Sequence, residues 1–175
     1  AVFDDAAARI VADLRRRAKS KLPRPMFDYI DGGADDEWSM RRNTAAFDEL
    51  ELLPSYLRNI ETIDLKTEVL GTTLKLPFFL APTGMSRLFH HHKELGACRA
   101  ADKSGTLYSL STMGTTSLED VAATTKGPKM FQIYILKDRE LTREFVQRCQ
   151  ASNYQALCLT AVSYTHLTLP TSAIV

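Results

Sequence analysis

Four short apolar runs recur along the chain, and helical patterns fill the intervals between them. The runs are Pro77–Pro82, Leu107–Thr112, Met130–Tyr134 and Ala156–Thr160. Their starts lie 23 to 30 residues apart, which is room for one strand, one helix and two short loops. The intervening helices are predicted at residues 93–104, 117–124 and 138–152. Strands separated by crossover helices run parallel, so the repeat predicts an α/β protein with a parallel sheet.

Four βα units are compatible with two architectures. One is a small open, doubly wound sheet. The other is the first half of a (β/α)₈ barrel, which needs eight units and typically about 250 residues. The periodicity by itself leaves both alternatives open.

A helical segment is predicted over residues 1–52, ahead of the repeat. Its first helix should run from Asp5 to about Ser20, and two further helical pieces should lie within Met26–Glu51, divided at the Gly32-Gly33 pair. Acidic residues 35–37 suit the first turn of the later piece, where they would meet the positive end of the helix dipole. Trp38 and Phe47 are expected to pack inward.

A β-hairpin is predicted at about residues 63–76, between the helical segment and the repeat. Gly71 stands at its turn and β-branched residues flank it. Gly105 and Gly127 each lie between a helix and a strand, so a left-handed helix end is expected at both.

Charge and hydrophobicity argue against nucleic-acid binding and against a membrane-spanning segment. A formal net charge of +1 argues against bulk electrostatic binding of nucleic acid. No apolar stretch approaches the roughly 20 residues that span a bilayer, and no signal peptide is visible. The basic stretch of residues 15–24 is interpreted as a solvated helix face, with contact to anionic lipid as the alternative.

The three cysteines are Cys98, Cys149 and Cys158, an odd number without Cys-x-x-Cys spacing. They are interpreted as small buried hydrophobic residues in a reducing, cytoplasmic protein.

Polar or small residues stand at the carboxyl end of every apolar run. Because parallel α/β proteins bind their ligands beyond these ends, the residues form a candidate site. They are Thr83, Ser111, Thr112, Gln132, Tyr134 and Thr160. Gln132 and Tyr134 are two apart and should share one face of their strand. Pro82 should end ladder pairing, and Gly84 would permit close backbone approach by a ligand.

Two other motifs have competing interpretations. Tyr29, beside the Gly32-Gly33 pair, is either a donor to an anionic substrate or a half-buried tyrosine with a wet hydroxyl. The run His90-His91-His92 suggests a metal site, but consecutive histidines in a loop converge poorly on one ion, so no metal is predicted. Walker A, G-x-G-x-x-G and G-x-S-x-G patterns are absent from the sequence.

From about Ala12 to Thr160 the chain resembles the flavin mononucleotide (FMN)-dependent α-hydroxy acid dehydrogenase and oxidase family. The resemblance rests on five segments in the expected order, LPRPMFDYIDGGADDEWS, LPFFLAPTGM, GTLYSLSTMGTTSLEDVA, FQIY and ALCLT. The stretch FHHHKELG resembles the L-lactate dehydrogenase branch most closely. The family fold is a (β/α)₈ barrel, so the resemblance favours the half-barrel alternative.

The resemblance also implies roles for individual residues. The backbone of Pro82, Thr83 and Gly84 would lie against the flavin ring, while Ser111, Gln132 and Thr160 would bond its polar edge. Tyr29 would hold the substrate carboxylate, and Tyr134 the substrate hydroxyl or the developing carbonyl oxygen. Met113 stands where some relatives carry a substrate-facing tryptophan.

In this family FMN takes up a hydride equivalent from the α-carbon, while a histidine accepts the hydroxyl proton. That histidine, an arginine for the carboxylate and a flavin-facing lysine belong to later strands. The family continues its fourth strand with Asp-Thr-Pro, whereas this chain has Val162 at the aspartate position. His166 comes too early to be the base, and residues 162–175 are interpreted as a non-native tail.

The sequence therefore predicts that residues 1–161 are the N-terminal part of an FMN-dependent hydroxy acid dehydrogenase domain, inactive by itself. A half-barrel would expose strand edges, which predicts self-association. The expected partners are a small 2-hydroxy acid and an electron acceptor (quinone, cytochrome or oxygen). The full-length protein is expected to be a cytoplasmic homo-oligomer, with peripheral attachment to the inner face of the membrane as the alternative location.

Two rival functions remain at this point. One is another flavin- or phosphate-binding barrel enzyme, such as type 2 isopentenyl diphosphate isomerase. The other is a non-catalytic βα module that binds a partner or a membrane surface.

Overall fold

The computed structural model describes residues 10–59 and 61–161 of the chain. The described residues form two compact units, which divide between Glu61 and Thr62. The prediction for helix residues 5–9 and the whole interpretation of residues 162–175, including Val162 and His166, lie outside the described residues.

The first unit is helical, as predicted. Its helices are α1 (Val11–Lys21), α2 (Arg24–Asp31) and α3 (Trp38–Ala45), and a 3₁₀ turn (Ala46–Glu49) follows α3. Pro25 fits the first turn of α2, where no intrahelical donor is needed. A bidentate ion pair connects the first two helices: Arg15 Nε lies 2.6 Å from Asp31 Oδ1, and Arg15 Nη2 lies 2.9 Å from Oδ2.

The acidic residues before α3 lie outside the helix, contrary to the prediction for its first turn. Asp35 and Glu37 both have positive φ, 50° and 59°, so the chain makes a left-handed turn there and the helix starts only at Trp38. Asp36 accepts a hydrogen bond from the Trp38 N–H at 3.1 Å. The three acidic residues thus precede the helix, and the Asp36 carboxylate still meets its positive end.

Trp38 and Phe47 are exposed, so the prediction that they pack inward is wrong for this unit. They are 60% and 74% exposed. Phe27 is the one buried side chain among residues 10–59. A helical unit of this size has too little volume to enclose several large rings.

The second unit begins with the predicted hairpin. Strands β1 (Thr67–Val69) and β2 (Thr72–Leu74) pair antiparallel. The two turn residues, Leu70 and Gly71, both have positive φ, at 52° and 71°. Two such residues in succession make the type I′ turn that suits the twist of a hairpin.

A four-stranded parallel sheet follows, in agreement with the predicted α/β class. Its strands, in the spatial order β3-β4-β5-β6, are β3 (Leu80–Thr83), β4 (Tyr108–Ser111), β5 (Lys129–Tyr134) and β6 (Ala156–Thr160). The connecting helices are α4 (Lys93–Ser104), α5 (Leu118–Thr124) and α6 (Arg139–Ala151), and a 3₁₀ turn (Ser86–Leu88) precedes α4. The three predicted helices are confirmed to within one residue at each end.

Strand β3 starts three residues later than the apolar run predicts. Phe78 and Phe79 remain 59% and 40% exposed, outside the ladder. Pro82 lies inside the strand rather than ending it. This position is tolerated because β3 has a neighbour on one side only within the described sheet, and a proline without an N–H fits such an edge.

The two faces of the sheet bury different side chains. The helix-facing core consists of Cys98, Ala101, Tyr108, Leu110, Leu118, Val121, Phe131, Ile133 and Cys149. The opposite face carries a smaller cluster of Leu74, Leu107 and Met130, against which Cys158 packs half-buried. The hairpin supplies Leu74 and therefore covers the amino end of this second face. The three cysteines are free thiols, and two are buried as predicted.

The ends of the elements follow local capping chemistry. Gly105 ends α4 with a φ of 66°, as predicted. Gly127 does not have a positive φ, so the prediction of a left-handed end there is wrong; α5 ends instead at an extended Thr125. A Cβ at Gly127 would lie 2.8 Å from Asp102 Oδ1, so close packing accounts for this glycine.

No helix in residues 10–59 and 61–161 is both long and apolar enough to cross a bilayer.

Candidate functional site at the carboxyl edge of the sheet

Three of the predicted site residues form one hydrogen-bonded row across the carboxyl ends of β4, β5 and β6. The Ser111 hydroxyl donates to Gln132 Oε1 at 3.0 Å, and Gln132 Nε2 donates to Thr160 Oγ1 at 2.9 Å. Ser111 and Gln132 are only 6% and 4% exposed. The parallel register places Ser111 opposite Gln132. We call Ser111, Gln132 and Thr160 the polar row.

The orientation of the Gln132 amide is fixed by its neighbours. The Thr112 backbone N–H, which can only donate, lies 3.2 Å from Oε1. The oxygen therefore faces Ser111 and Thr112, and the nitrogen faces Thr160. One hydrogen of the Gln132 amide nitrogen is used by Thr160, and the second has no partner within residues 10–59 and 61–161.

The loop of residues 112–117 between β4 and α5, the β4–α5 loop, packs against the segment that leaves β3. The Met85 N–H donates to the Met113 carbonyl at 2.9 Å, and the Met113 N–H donates to Ser111 Oγ at 3.1 Å. A Cβ at Gly84 would lie 2.8 Å from Met113 Cβ. The lack of a side chain at Gly84 therefore leaves room for the β4–α5 loop. The sequence by itself does not reveal this reason for a glycine at position 84.

The remaining predicted residues lie at the same edge of the second unit. Tyr134 ends β5 half-buried, and it alternates with Phe131 and Ile133 of the helix-facing core, so it shares the face of Gln132 as expected. Thr83 ends β3 and is exposed, while Pro82 beside it is half-buried.

Tyr29 belongs to the first unit, on α2, and is 63% exposed. Its predicted role toward a substrate carboxylate stays a prediction.

The three consecutive histidines come closer together than predicted. Their candidate ligand atoms all lie within 4.8 Å of one another. However, His90 Nδ1 already accepts the His92 N–H at 3.1 Å. Partial burial and the positive charges of His91, His90 and Arg99 lower the pKa of His92. Because one of the candidate ligand atoms is already used within the loop, the cluster is not assigned to a metal.

Glu94 is a site residue that the sequence interpretation missed. It lies in the first turn of α4, is 0% exposed, and its carboxylate contacts the β4–α5 loop. Burial by itself would raise its pKa, but hydrogen bonds from the Thr115 N–H and the Thr116 hydroxyl outweigh burial and lower the pKa. The sequence indicates the role of Glu94 only weakly, through an acidic residue in a helix's first turn and a hydroxyl-rich loop 21 residues later.

Other buried polar groups accompany the site. Burial raises the pKa of Tyr108, and the nearby Glu94 carboxylate raises it further. The Ser109 hydroxyl has no partner within the described residues. Ser109 precedes Ser111 by two residues on β4, so it shares the face of the polar row.

The fold and the polar row define the class of this protein: an α/β protein of parallel βα units whose polar residues gather beyond the carboxyl ends of the strands. Residues 18–165 match the model of a family described as FMN-dependent dehydrogenase. The chain belongs to this FMN-dependent dehydrogenase family.

Individual relatives agree with this assignment. Glycolate oxidase 3 of Oryza sativa subsp. indica is 35% identical over 150 residues, which are 86% of this chain and 41% of that protein. A Mycobacterium tuberculosis protein provisionally named L-lactate dehydrogenase is 42% identical over 155 residues, 88% of this chain and 37% of the relative. The crystal structure of mandelate oxidase superposes with a TM-score of 0.79 at 33% identity, covering 85% of this chain and 43% of that chain. The chain thus spans about two fifths of its relatives' length.

FMN is the cofactor of this family, and one solved mandelate oxidase mutant holds an FMN adduct. The polar row fits a flavin because Ser111 and Gln132 are buried, all three side chains are uncharged, and two of its donors have no partner in the part of the chain that the structure describes. The polar edge of the flavin ring presents carbonyl oxygens and ring nitrogens, for which the second Gln132 N–H and the Thr160 hydroxyl are suitable partners. The row contains no arginine or lysine, so it suits the ring rather than the phosphate.

Proposed function

We propose that this chain forms the flavin-facing half of an FMN-dependent enzyme that oxidises a small L-2-hydroxy acid, such as lactate, to the 2-oxo acid. The observation that carries the proposal is the polar row Ser111–Gln132–Thr160. It places neutral hydrogen-bonding groups side by side at the edge where parallel α/β enzymes bind cofactors.

The strand order supports a half-barrel over an open doubly wound sheet. The order β3-β4-β5-β6 follows the chain without a reversal. Doubly wound sheets reverse their strand order at the ligand site, whereas a barrel keeps adding strands in one direction. We therefore propose that residues 77–161 are the first four βα-type strands of a (β/α)₈ barrel and that residues 162–175 are a non-native tail.

Each predicted site residue receives a proposed role. The backbone of Pro82, Thr83 and Gly84 supports one face of the flavin ring, and the polar row bonds its polar edge. Tyr134 holds the substrate hydroxyl, and Tyr29 holds the carboxylate. FMN, when bound, supplies the redox chemistry of the reaction. The residues of this chain orient the ring and the α-carbon of the substrate.

The names of the relatives support the substrate class. They act, by name, on glycolate, L-lactate and mandelate, which are all small 2-hydroxy acids. Identity is 42% with the protein named L-lactate dehydrogenase and 35% with the rice glycolate oxidase, which favours lactate. Quinone, cytochrome or oxygen is proposed as the electron acceptor of a cytoplasmic or membrane-peripheral homo-oligomer.

We further propose that the 175-residue chain alone does not turn over a hydroxy acid. The family resemblance assigns the base histidine and the carboxylate-binding arginine to strands that follow β6. Without them the hydroxyl proton has no acceptor and the substrate carboxylate has no cationic partner.

A chimera tests the proposal directly. Residues 1–161 are joined to the C-terminal part of the Mycobacterium tuberculosis relative, and bound FMN and reduction of an artificial electron acceptor are measured with L-lactate, glycolate and mandelate. We expect FMN to be bound and L-lactate to give the highest rate. The 175-residue chain, assayed in parallel, should show no turnover.

Two variants and a control make the test specific. Gln132→Leu should lower FMN affinity by about tenfold or more, because a buried row loses its central donor and acceptor. Tyr134→Phe should lower kcat while the flavin stays bound. Gln147→Leu, on the exposed surface of α6, is the control. A chimera that folds but binds no FMN, or a Gln132→Leu variant that binds it as well as the control does, would contradict the proposal.

A further inference from the structure

Glu94 connects the two backbone segments that form one wall of the polar site. Its carboxylate accepts the Thr115 N–H at 2.7 Å, the Thr115 hydroxyl at 2.8 Å and the Thr116 hydroxyl at 2.6 Å. The Thr115 hydroxyl also accepts the Arg87 N–H, at 3.2 Å, from the segment that follows β3. The segment after β3 and the β4–α5 loop therefore meet at one carboxylate.

The charge on this carboxylate is held without a counter-ion. Among the described residues no arginine, lysine or histidine forms an ion pair with Glu94. Its neighbours are an N–H, two hydroxyls and the amino end of the 12-residue helix α4. The helix end is positive, so it stabilises a buried anion placed in its first turn.

The contacts continue from Glu94 to the polar row. The loop that it holds contains Met113, whose carbonyl accepts the Met85 N–H and whose own N–H donates to Ser111 Oγ. Gly84 packs so closely on Met113 that no side chain would fit between them. A displacement of Thr115 would therefore move Met113 and remove a donor from Ser111.

We infer that Glu94 is a positioning residue of the site: its buried carboxylate fixes the β4–α5 loop and the segment after β3, so that Met113, Gly84 and Ser111 keep the spacing in which they face the flavin. The part of this inference that concerns the flavin rests on the proposed function. The part that concerns the two backbone segments stands on the contacts of this chain.

Amide hydrogen exchange of the full 175-residue chain, followed by NMR, tests the inference without any cofactor. In Glu94→Gln the Thr115 and Met85 amides should exchange about tenfold faster or more, since hydrogen bonds to a charged acceptor are the stronger kind. Phe131, in the sheet core, is the internal reference and should change less than about twofold. Glu94→Asp keeps the charge on a shorter side chain and should restore part of the protection.

The matched control is Glu140→Gln. Glu140 also lies in the first turn of a helix that follows a strand, but it is exposed and its ion pair is with Arg143 of the same helix. The inference would be overturned if the Thr115 and Met85 amides exchanged at the same rates in Glu94→Gln as in Glu140→Gln. An equal rise in the exchange rate of the Phe131 amide in Glu94→Gln would also overturn it, because the carboxylate would then stabilise the whole fold rather than the site.

Titration of the chimera of residues 1–161 with FMN, followed by flavin fluorescence and repeated with each substitution, separates this inference from the proposed function. If wild type binds FMN, Glu94→Gln should bind it about tenfold more weakly while Glu140→Gln is unchanged. Equal binding by wild type and Glu94→Gln overturns the inference and leaves the proposed function in place. Faster exchange of the loop in the 175-residue chain, together with a chimera that folds but binds no FMN, supports the positioning role and counts against the proposed function.

Discussion

At the scale of single residues, Glu94 couples the stability of the second unit to pH. Its pKa lies below the ordinary value of 4.5, because hydrogen bonds from Thr115 and Thr116 favour the ionised form more than burial disfavours it. A group with a depressed pKa in the folded state stabilises the protein above the ordinary pKa. That stabilisation is lost as the pH falls from 4.5 through the folded-state pKa.

We therefore predict that Glu94→Gln lowers the free energy of unfolding at pH 7 and that its difference from wild type shrinks below pH 4.5. Urea unfolding of both proteins at a series of pH values measures this difference. Thr116→Val removes one donor to the carboxylate, so it should raise the folded-state pKa of Glu94. The stabilisation by Glu94 should then be lost at higher pH than in wild type. A difference between wild type and Glu94→Gln that stays constant from pH 7 to pH 3 would contradict the prediction.

The cysteines should react in an order set by burial. Burial raises the pKa of Cys98 and of Cys149 to about 11, whereas Cys158 is only half-buried. We predict that iodoacetamide at pH 8 labels Cys158 first and the other two only when the chain unfolds, because the thiolate is the reactive species. Peptide mass spectrometry gives the order, and Cys158→Ser should abolish the early labelling. Early modification of Cys98 would contradict this expectation.

The sequence showed part of the site for a clear physical reason. Ser111, Gln132 and Thr160 each end an apolar run, and parallel strands bring such ends together. The contact of Glu94 with Thr115 could not be predicted, because it joins residues 21 positions apart through a loop whose path no local pattern specifies. The role of Gly84 was likewise hidden, since its neighbour Met113 is known only from the fold.

At the scale of elements, two glycines with similar backbone conformations differ in how closely their neighbours pack. Comparing them distinguishes the cost of a left-handed backbone from the cost of steric crowding. Gly71 and Gly105 have similar positive φ values, 71° and 66°. A Cβ at Gly71 would meet nothing within 4 Å, whereas a Cβ at Gly105 would lie 2.5 to 3.1 Å from the side-chain carbons of Lys75.

We predict that Gly71→Ala destabilises the chain by about 1 kcal/mol, from the left-handed conformation alone. Gly105→Ala should cost about 1 kcal/mol more, because the Lys75 carbons close to its backbone must also move. The free energy of unfolding in urea measures both costs. Equal costs for the two variants would show that Lys75 moves aside freely.

Element boundaries were predictable wherever a local cap marks them. The Ser117 hydroxyl accepts the Asp120 N–H, and the Asp138 carboxylate accepts the N–H groups of Glu140 and Leu141, so α5 and α6 begin where expected. Boundaries that depend on tertiary pairing were missed. Strand β3 starts late because pairing with β4 begins only at Leu80, and no local pattern marks that residue.

At the scale of the whole molecule, strand β6 is the feature with the clearest consequence for solution behaviour. Within the described residues it pairs on one side only, with β5. Leu157 and Leu159, on the helix-facing side of this strand, are 45% and 55% exposed. An unpaired strand beside exposed leucines is a template for association with another copy.

We predict that the 175-residue chain self-associates in a concentration-dependent manner. Leu159→Lys should weaken this association, because a charge on an edge strand opposes pairing. Leu70→Lys, at the exposed hairpin turn, should leave it unchanged. Sedimentation velocity distinguishes these outcomes, and a wild-type chain that stays monomeric at the same concentrations would contradict the prediction.

The α/β class and the parallel sheet followed from periodicity because every connection in the sheet is a crossover of regular length. The first unit was less predictable. Its helices follow local pattern, but the exposure of Trp38 and Phe47 depends on how much other apolar surface is available to cover them. Hydrophobic character predicts a tendency to be buried, and the surrounding structure decides whether burial occurs.

The polar row also has a direction. Each donor in it points the same way: the Met113 N–H to Ser111, the Ser111 O–H to Gln132, and the Gln132 N–H to Thr160. Dipoles aligned in such a sequence polarise one another, so the last one is strengthened. Thr160 accepts at the end of the sequence, which leaves its own hydrogen to point away from the row. The polar row therefore presents a hydrogen-bond donor at its end. This favours an acceptor atom of a ligand at that position and disfavours another donor.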